Sequence, residues 1–431
     1  MTAFSLEPAQ LTWCDELRAL AAERLRPLAE KGEPGRVNRA LVAELGTLGL
    51  LPRLFTSGAL DLCLMRESLA HACTEAETAL ALQGLGAHPV HAHGTESQRA
   101  RWLPRVSDGT AVAAFALSEP DAGSDAAALS LRAEPEAGGG PEDAAVPDAG
   151  RPADGPSGTG TAPGPLTAAP DGTSAWRLTG EKYWISNAPE ADFYTVFART
   201  TPGAGSHGVT AFLVPADRPG LTGTPLDMLS PHPIGALVFD AVPVTADDVL
   251  GEPDRGFRVA MDTLNLFRPS VGAFAVGMAQ AALDATLAHT SARDAFGGKL
   301  RDLQAVSHQV AEMALRTEAA RLMVYAAATA YDAGAADVPK RAAMAKLLAT
   351  ETAQYVVDKA VQLHGARALR RGHLLEHLYR EVRAPRIYEG ASEVQRGIVA
   401  KELYRTHPTH PTDRTRRPHR TQDATTEEAG S

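Results

Sequence analysis

Glu389 is an acidic residue that a glycine follows directly. It lies in the stretch Arg386-Ile-Tyr-Glu-Gly-Ala-Ser-Glu-Val-Gln-Arg396, with Gly390 directly after it. A glycine at this point permits a tight turn that presents a carboxylate and a backbone N–H to the same ligand. Proton abstraction also requires a carboxylate in a dry site, where desolvation raises its pKa toward the value that the reaction needs. Glu389 is therefore a candidate general base.

Two further stretches contain residues that could hold a flat ligand. In Phe115-Ala-Leu-Ser-Glu-Pro-Asp-Ala-Gly-Ser-Asp125, small residues let the backbone approach a ligand, and Ser118 and Ser124 offer hydroxyl groups. In Gly180-Glu-Lys-Tyr-Trp-Ile-Ser-Asn187, Trp184 could stack on a ring while the nearby hydroxyl residue hydrogen-bonds the ring edge. Taken alone, the first stretch is typical of a turn after a strand, and the tryptophan is typical of a core.

Two polar stretches lie further along the chain, where the pattern is helical. One is Arg293-Asp-Ala-Phe-Gly-Gly-Lys-Leu-Arg-Asp-Leu-Gln304, which by itself indicates a helix end, a glycine turn and the start of another helix. The other is Gln362-Leu-His-Gly-Ala-Arg-Ala-Leu369, which precedes the stretch around Glu389.

Together these stretches resemble the signatures of the flavin-dependent acyl-CoA dehydrogenase family, over roughly residues 11–405 apart from the segment 134–174. The resemblance implies that Glu389 is the catalytic base, that FAD is the cofactor, and that the substrate contacts are Ser124, Arg268 and Gly390. It also implies a set of FAD contacts: Phe115, Leu117, Ser118, Gly123, Ser124, Trp184, Ile185, Ser186, Arg293, Phe296, Gln304, Gln362, Gly365, Ala366, Ala391 and Glu393.

The resemblance further implies a reaction. Glu389 would remove the pro-R α-proton of a thioester while a β-hydride passes to flavin N5, and its backbone N–H and a ribityl hydroxyl would stabilise the thioester oxygen. Trp184 would pack on the isoalloxazine ring and Arg293 would meet the pyrophosphate. Some relatives carry the base directly before Arg268, where this chain has Phe267, which cannot act as a base.

Two positions depart from the family pattern. Gly365-Ala-Arg-Ala-Leu369 stands where many relatives have G-G-x-G-Y, and Ala391 stands where a threonine often follows Y-E-G. The first segment would contact the adenosine half of an FAD bound mainly by another subunit, so a partner subunit is expected to complete the site. The expected assembly is a homotetramer, or failing that a homodimer.

The periodicity of apolar residues predicts an α+β multidomain protein. Residues 1–112 read as an N-terminal helical domain, 113–251 as an antiparallel sheet or barrel, and 252–405 as a four-helix bundle. Residues 134–174 are nearly all small or polar and have too little apolar area to offset the entropy of ordering, so they are predicted to be a disordered insertion, as is the tail 406–431.

Composition excludes several classes of protein. The chain of 431 residues carries a formal net charge of −10, which argues against a general nucleic-acid binder. It has three cysteines, too few and too scattered for a disulfide scaffold, which fits the cytoplasm. Neither a signal peptide nor an apolar stretch of roughly 20 residues is evident, so the protein is expected to be soluble, cytoplasmic and without membrane contact.

Three alternative functions remain open at this stage. The chain could oxidise a thioester on an acyl or peptidyl carrier protein, or act as a flavin oxidase or monooxygenase that consumes oxygen. A dehydrogenase would instead pass its electrons to an electron-transferring flavoprotein. A metallohydrolase is the third possibility, because His373-Leu-Leu-Glu-His377 matches a zinc-peptidase pattern, although the arginines around it oppose a cation and no metal is expected.

Two other patterns are interpreted as structural. Gly203-Ala-Gly-Ser-His-Gly208 satisfies G-x-G-x-x-G but precedes a strand pattern, so it is predicted to be a hairpin loop. His88, His91 and His93 are interpreted as a solvated helix end.

Overall fold

The computed structural model of the protein describes residues 6–136 and 175–407. The N-terminal part is helical, as predicted. Side-chain caps begin two of its helices: Asn38 accepts a hydrogen bond from the Leu41 N–H, and Thr95 accepts one from the Gln98 N–H. The helices are α1 (Pro8–Leu20, continued by a π-helical turn Ala21–Leu25), α2 (Arg26–Ala29), α3 (Arg39–Thr47), α4 (Arg53–Thr56), α5 (Ala59–Ala72), α6 (Thr74–His93) and α7 (Glu96–Ser107).

The central part forms one eight-stranded sheet within the described residues. The strand order is β6-β7-β3-β2-β4-β5-β8, with β1 paired to β4, and most pairs are antiparallel. The exceptions are β1 and β2, which run parallel to β4. The strands are β1 (Ala113–Ala116), β2 (Arg132–Pro135), β3 (Ala175–Ser186), β4 (Phe193–Arg199), β5 (Val209–Pro215), β6 (Leu221–Pro225), β7 (Ile234–Thr245) and β8 (Val249–Leu250).

The C-terminal part returns to helices, and three long ones pack against one another with a shorter one on α10. Gly277 lets α8 cross close to α5, because a Cβ there would collide with the Glu67 carbonyl oxygen. The elements are α8 (Gly256–Ala292), the hairpin β9 (Asp294–Ala295) and β10 (Gly298–Lys299), α9 (Gln304–Asp332), α10 (Val338–His364), α11 (Leu374–Glu381) and α12 (Ser392–Thr406).

The apolar cores explain how these parts fit together. One core joins the N-terminal helices α1, α3 and α5 to α8, α9 and α10, so the first and last thirds of the chain form a single helical body. A second core fills one face of the sheet, and a third lies between the other face and α6, α7 and the start of α8. Strands β4 and β5 are mostly apolar and are buried along nearly their whole length, because both of their faces are covered.

The expectation that no segment is long and apolar enough to span a bilayer was wrong for α8. By length and composition Gly256–Ala292 passes that test, with a mean hydropathy of 1.4 over its most apolar window. However, 72% of that window is buried inside the protein. Burial in the helical body therefore accounts for its apolar character.

Two sequence interpretations concern loops. Residues 203–208 connect the antiparallel strands β4 and β5, so the predicted hairpin loop is confirmed and is not followed by a helix. The predicted insertion from Glu134 overlaps the sheet, because Glu134 and Pro135 pair with β3. The rest of that insertion, from 137 to 174, and the tail from 408 lie outside the described residues.

Candidate active site

Glu389 lies in a tight turn between α11 and α12. Its φ is 52°, and Gly390 follows with a φ of 98°, so two consecutive residues adopt left-handed backbone conformations. For a residue other than glycine this conformation is unusual and is maintained only when the surrounding structure enforces it. The glycine predicted to permit a turn here therefore does so, and the acid itself is strained.

Three side chains from three different helices hold this turn. Arg268 on α8 donates from Nε to the Glu389 carbonyl oxygen at 3.1 Å. Lys346 on α10 donates from Nζ to the Gly390 carbonyl oxygen at 2.7 Å. Gln395 on α12 donates from Nε2 to both carbonyl oxygens, at 3.2 and 3.0 Å. The bundle thus fixes the position of the Glu389 carboxylate through its backbone and leaves the carboxylate itself free to react.

The surroundings of the carboxylate suit it to accept a proton. Burial raises the pKa of Glu389, while Arg66, Lys346 and Arg268 act in the opposite direction. Glu389 Oε2 is buried and has no hydrogen-bond partner within the described residues. A buried carboxylate oxygen without a partner is costly in a folded protein, so its retention is typical of a reactive group.

Of these three cations, Arg66 lowers the pKa of Glu389 most. It is buried on α5, forms an ion pair with the buried Glu77 of α6, and donates from Nη1 to Ser270 Oγ at 2.7 Å. The negative charge of Glu77 therefore offsets much of the effect that Arg66 has on the pKa of Glu389.

The stretches 115–125 and 180–187, which the resemblance assigns to FAD, are held side by side in the sheet domain. The Tyr183 N–H donates to the Ser118 carbonyl oxygen at 2.9 Å, and Lys182 Nζ donates to the Leu117 carbonyl oxygen at 3.0 Å. Lys182 also forms an ion pair of 2.8 Å with Glu119, and both side chains are buried. A residue of each stretch therefore anchors the other.

The Lys182–Glu119 ion pair also changes the pKa values of both side chains. Burial lowers the pKa of Lys182 to about 8, although Glu119 opposes that effect. Burial acts to raise the pKa of Glu119. Lys182 and the N–H groups of Ser130 and Leu131 outweigh that effect and hold the pKa below its usual value. The carboxylate accepts from those two N–H groups at 2.6 and 3.0 Å. Glu119 therefore also fixes the chain that leads into β2.

Trp184 is presented outward by an irregularity in β3. Between the pairs Lys182–Leu237 and Ile185–Gly235, two residues of β3 face one residue of β7, which is a β-bulge. Trp184 has a φ of 55° and is 46% exposed, whereas the next residue is buried in the core of the sheet. The bulge thus turns a large flat ring from the sheet to its surface.

The other predicted FAD contacts in the sheet domain divide into two groups. The side chains of Leu117 and Ile185 are buried in apolar cores and the partly buried Phe115 packs against one, so these side chains offer little surface to a ligand. Gly123 and Ser124 are exposed, and a Cβ added at Gly123 would meet no atom within 4 Å. Ser118 and Ser186 are partly buried.

The predicted pyrophosphate-binding stretch forms the hairpin β9–β10 and the start of α9. Phe296 at its tip has a φ of 56° and is 90% exposed. The Leu300 N–H closes the hairpin on the Arg293 carbonyl oxygen at 3.0 Å, and Gln304 lies exposed at the start of α9. No hydrogen bond or ion pair among residues 6–136 and 175–407 joins this hairpin to the Glu389 turn.

The segment that departs from the family pattern forms a short 3-10 turn after α10. Gly365 ends the helix with a φ of 64°, and Ala366 has a negative φ and is exposed, as Gln362 is one turn earlier. Leu369 is 69% exposed. Close to the Glu389 turn, Ala391 precedes α12 and the side chain of Glu393 is 82% exposed.

Six residues that hold the site were missed by the sequence analysis, although some left a signal. Glu119 and Lys182 lie inside the two stretches that were singled out. Lys346 interrupts the apolar face that Ala342, Ala345 and Ala349 form on α10, and a charged residue on such a face signals a buried charge. Gln395 lies inside the stretch around Glu389, and Arg66 and Glu77 lie outside every stretch that was singled out.

The histidine patterns have structural roles here. His373 caps α11 by accepting from the Leu375 N–H at 3.1 Å, and His377 lies 2.6 Å from Thr74 Oγ1. Across the described part of the chain, no group of three potential ligands could hold a metal ion. The interpretation of His88 as solvated was wrong: burial lowers its pKa to about 4, and its ring lies 6.1 Å from that of Phe267.

Comparison with known proteins agrees with the resemblance. Residues 7–110, 156–242 and 254–404 match the models of the acyl-CoA dehydrogenase N-terminal, middle and C-terminal domains. Short-chain specific acyl-CoA dehydrogenase of Bos taurus is 34% identical over 402 residues, which cover 90% of this chain and 89% of that protein.

Two solved structures are similar in fold. Butyryl-CoA dehydrogenase from Megasphaera elsdenii is 30% identical with a TM-score of 0.80, covering 94% of this chain and 100% of that one. PigA with FAD and proline is 25% identical with a TM-score of 0.79, covering 94% and 99%.

Proposed function

This chain belongs to the acyl-CoA dehydrogenase family and is a FAD-dependent oxidoreductase, and we propose that it oxidises an acyl-CoA thioester to the trans-2-enoyl thioester. The observation that carries the proposal is the buried, unpartnered carboxylate oxygen of Glu389, held in a strained turn that the bundle clamps from three helices. An acid of this kind suits removal of a proton from carbon.

The residues present fit FAD. Trp184 offers an exposed ring on a bulge whose backbone conformation is unusual, and the small residues around Gly123 leave open space. We assign the flavin ring to the surface formed by Trp184 and Ser118. Arg293 would pair with the pyrophosphate, where its guanidinium can make charge-assisted hydrogen bonds. The bound FAD would accept the hydride that leaves the β-carbon of the substrate.

The remaining chemistry belongs to residues of this chain. Glu389 would take the α-proton, so the electron pair of that C–H bond becomes available for the new C=C bond as hydride leaves the β-carbon. The backbone N–H of Glu389 would donate to the thioester oxygen, on which negative charge develops. Arg268 holds the carbonyl of the same residue at 3.1 Å and thereby fixes the direction of both groups.

The rate of flavin reduction should fall as the solution is acidified. Only the ionised form of Glu389 can accept the proton, and burial raises its pKa above the usual 4.5. The limiting rate is therefore expected to rise with pH through a raised Glu389 pKa and then level off. Stopped-flow measurement of anaerobic flavin reduction from about pH 5 to pH 9 tests this. A rate that falls steadily with rising pH would contradict the assigned role.

Trp184→Ala should weaken FAD binding by about 5-fold, because a ring stacked on the flavin contributes on the order of 1 kcal/mol. Trp184→Phe retains a ring and should lie close to the wild type. The side chain is 46% exposed, so the thermal stability of the apoprotein should change little. Quenching of flavin fluorescence on titration measures the affinity, and equal affinities in all three proteins would remove Trp184 from the site.

We also propose a homotetramer, with a partner subunit completing each FAD site. Phe296 and Leu369 flank the predicted phosphate and adenosine contacts and are 90% and 69% exposed, and exposed apolar groups of this kind favour an interface. A cytoplasmic location is proposed from the free cysteines Cys14, Cys63 and Cys73. Light scattering of the FAD-loaded protein tests the assembly.

Two experiments identify the substrate and the electron acceptor. Anaerobic bleaching of the flavin by matched acyl-CoA and carrier-protein thioesters identifies the carrier group, and faster bleaching by the carrier-protein thioesters would overturn the acyl-CoA assignment. Re-oxidation by an electron-transferring flavoprotein is expected, whereas oxygen consumption coupled to turnover would indicate an oxidase or monooxygenase.

A further inference from the structure

Lys346 is a fully buried lysine with no ion-pair partner in the described parts of the chain. It projects from α10 with 0% exposure, and its Nζ donates to the Gly390 carbonyl oxygen at 2.7 Å. A buried ammonium is costly unless charges and hydrogen bonds nearby compensate for it. Lys182, the other lysine buried to this extent, has its compensation in the ion pair with Glu119. Lys346 must therefore be compensated in another way.

The charges around Lys346 identify the compensating group. Burial lowers the pKa of Lys346 to about 8, and Glu389 is the carboxylate that opposes this shift most. Arg268 on α8 faces it as a cation, and Glu351 and Glu393 are weaker anionic neighbours. Glu351 is already engaged by Arg386 at 2.9 Å. Glu389 is thus the main counter-charge of Lys346, although the two are not in direct contact.

Lys346 is in turn one of the charged groups that surround Glu389. The groups that face it are Arg66 on α5, Arg268 on α8, Lys346 on α10 and Tyr388 in its own segment. Arg66 is paired with Glu77. Of these cations, Lys346 alone combines complete burial, the lack of a carboxylate partner and a hydrogen bond to the glycine that follows the base.

We propose that Lys346 is a positioning residue for proton abstraction, which fixes the Glu389 turn through the Gly390 carbonyl and stabilises the ionised form of the Glu389 carboxylate. This inference rests on the proposed function. The hydrogen bond restrains a glycine with a φ of 98°, directly after a glutamate with a φ of 52°, so its loss would loosen the conformation that aims the base. Loss of the charge would raise the pKa of Glu389.

Lys346→Met tests the proposal, because methionine keeps the length and apolar stem of lysine but removes its charge and its donor. The midpoint of the pH dependence of anaerobic flavin reduction should move upward by about 1 unit, and the rate on the acidic side should fall about 10-fold. The dissociation constant of the substrate, from static titration at a pH above both midpoints, should stay near that of the wild type. A purely structural role would change stability without moving the midpoint.

The matched control is Lys359→Met, a partly exposed lysine on the same helix, which should leave the midpoint in place. Lys346→Gln is a second neutral variant in case Lys346→Met does not fold with FAD. An unshifted midpoint in either folded variant would overturn the proposal, and failure of both to fold would give Lys346 a structural role instead. Glu389→Gln, measured in parallel, distinguishes failure of this inference from failure of the proposed function. If the flavin of that variant is bleached at the normal rate, the proposed function itself fails.

Discussion

Replacing Glu389 by Gln is expected to leave FAD bound and to lower the rate of flavin reduction by thioester about 100-fold to 10,000-fold or more. Glutamine has the shape of glutamate and keeps the carbonyl oxygens that Arg268, Lys346 and Gln395 hold. It cannot accept the α-proton, and the position before Arg268, where some relatives carry the base, is Phe267, which cannot accept it either. The loss should therefore fall on the chemical step.

The measurement is anaerobic stopped-flow bleaching of the purified, FAD-loaded variant, together with its flavin spectrum and a static titration with substrate. Glu402→Gln, a replacement of a glutamate on α12 outside the site, serves as the control and should bleach at the wild-type rate. Rapid bleaching by Glu389→Gln would show that another group removes the proton. Loss of FAD in that variant would mean that Glu389 supports the cofactor rather than the reaction.

Lys182→Met is expected to lower the free energy of unfolding by about 3–5 kcal/mol, because it leaves the Glu119 carboxylate buried without its cation. Both side chains are almost completely buried and lie 2.8 Å apart. The same change removes the hydrogen bond to the Leu117 carbonyl and so loosens the tie between the stretches that contain Ser118 and Trp184. Affinity for FAD should fall together with stability.

The pH dependence of that destabilisation has a defined sign. In the wild type, the pKa of Glu119 lies below its usual 4.5, so the pair contributes stability above that pH and loses it as the pH falls through the lowered pKa. In Lys182→Met, burial without the cation raises the Glu119 pKa, so protonation relieves the strain. The difference from wild type should thus shrink between neutral pH and about pH 4.5.

Chemical denaturation of the apoprotein at several pH values measures this effect, and the double variant Lys182→Met/Glu119→Gln is its control. Replacing both partners removes the unpaired charge, so the double variant should regain much of the lost stability. If the single and double variants unfold at the same denaturant concentration, the ion pair is not what holds these two stretches together.

The fold was largely predictable because it follows from patterns that are local in the chain. Three- to four-residue periods predict the helical N-terminal and C-terminal parts, and two-residue periods predict the sheet between them, as the structure shows. The parallel pairing of β1 with β4 was not predictable, because it joins residues about 80 positions apart. The polarity of α8 was misjudged for a related reason, since its apolar character reflects burial against α5, α9 and α10.

The candidate site likewise has residues that local sequence identifies and residues that only the packing of the helices brings together. The motif around Glu389, the tryptophan of β3 and the arginine before the β9–β10 hairpin were identified from residue types and spacing. Their roles stay predictions until the experiments above are done. What spacing could not provide is the set of buried charges around them, because Arg66 on α5, Arg268 on α8 and Lys346 on α10 meet only after the helices pack.

By itself, the sequence determined which acid is the candidate base, that a glycine follows it, and which family the residues resemble. These are properties of short stretches, and a short stretch keeps them in any context. Only the tertiary structure decided that Glu389 is strained, that its Oε2 atom is buried and that three cations surround it. It also decided that Trp184 faces outward and that Glu119 and Lys182 join two distant stretches. Burial and pKa depend on what surrounds a group in space, and packing alone determines those surroundings.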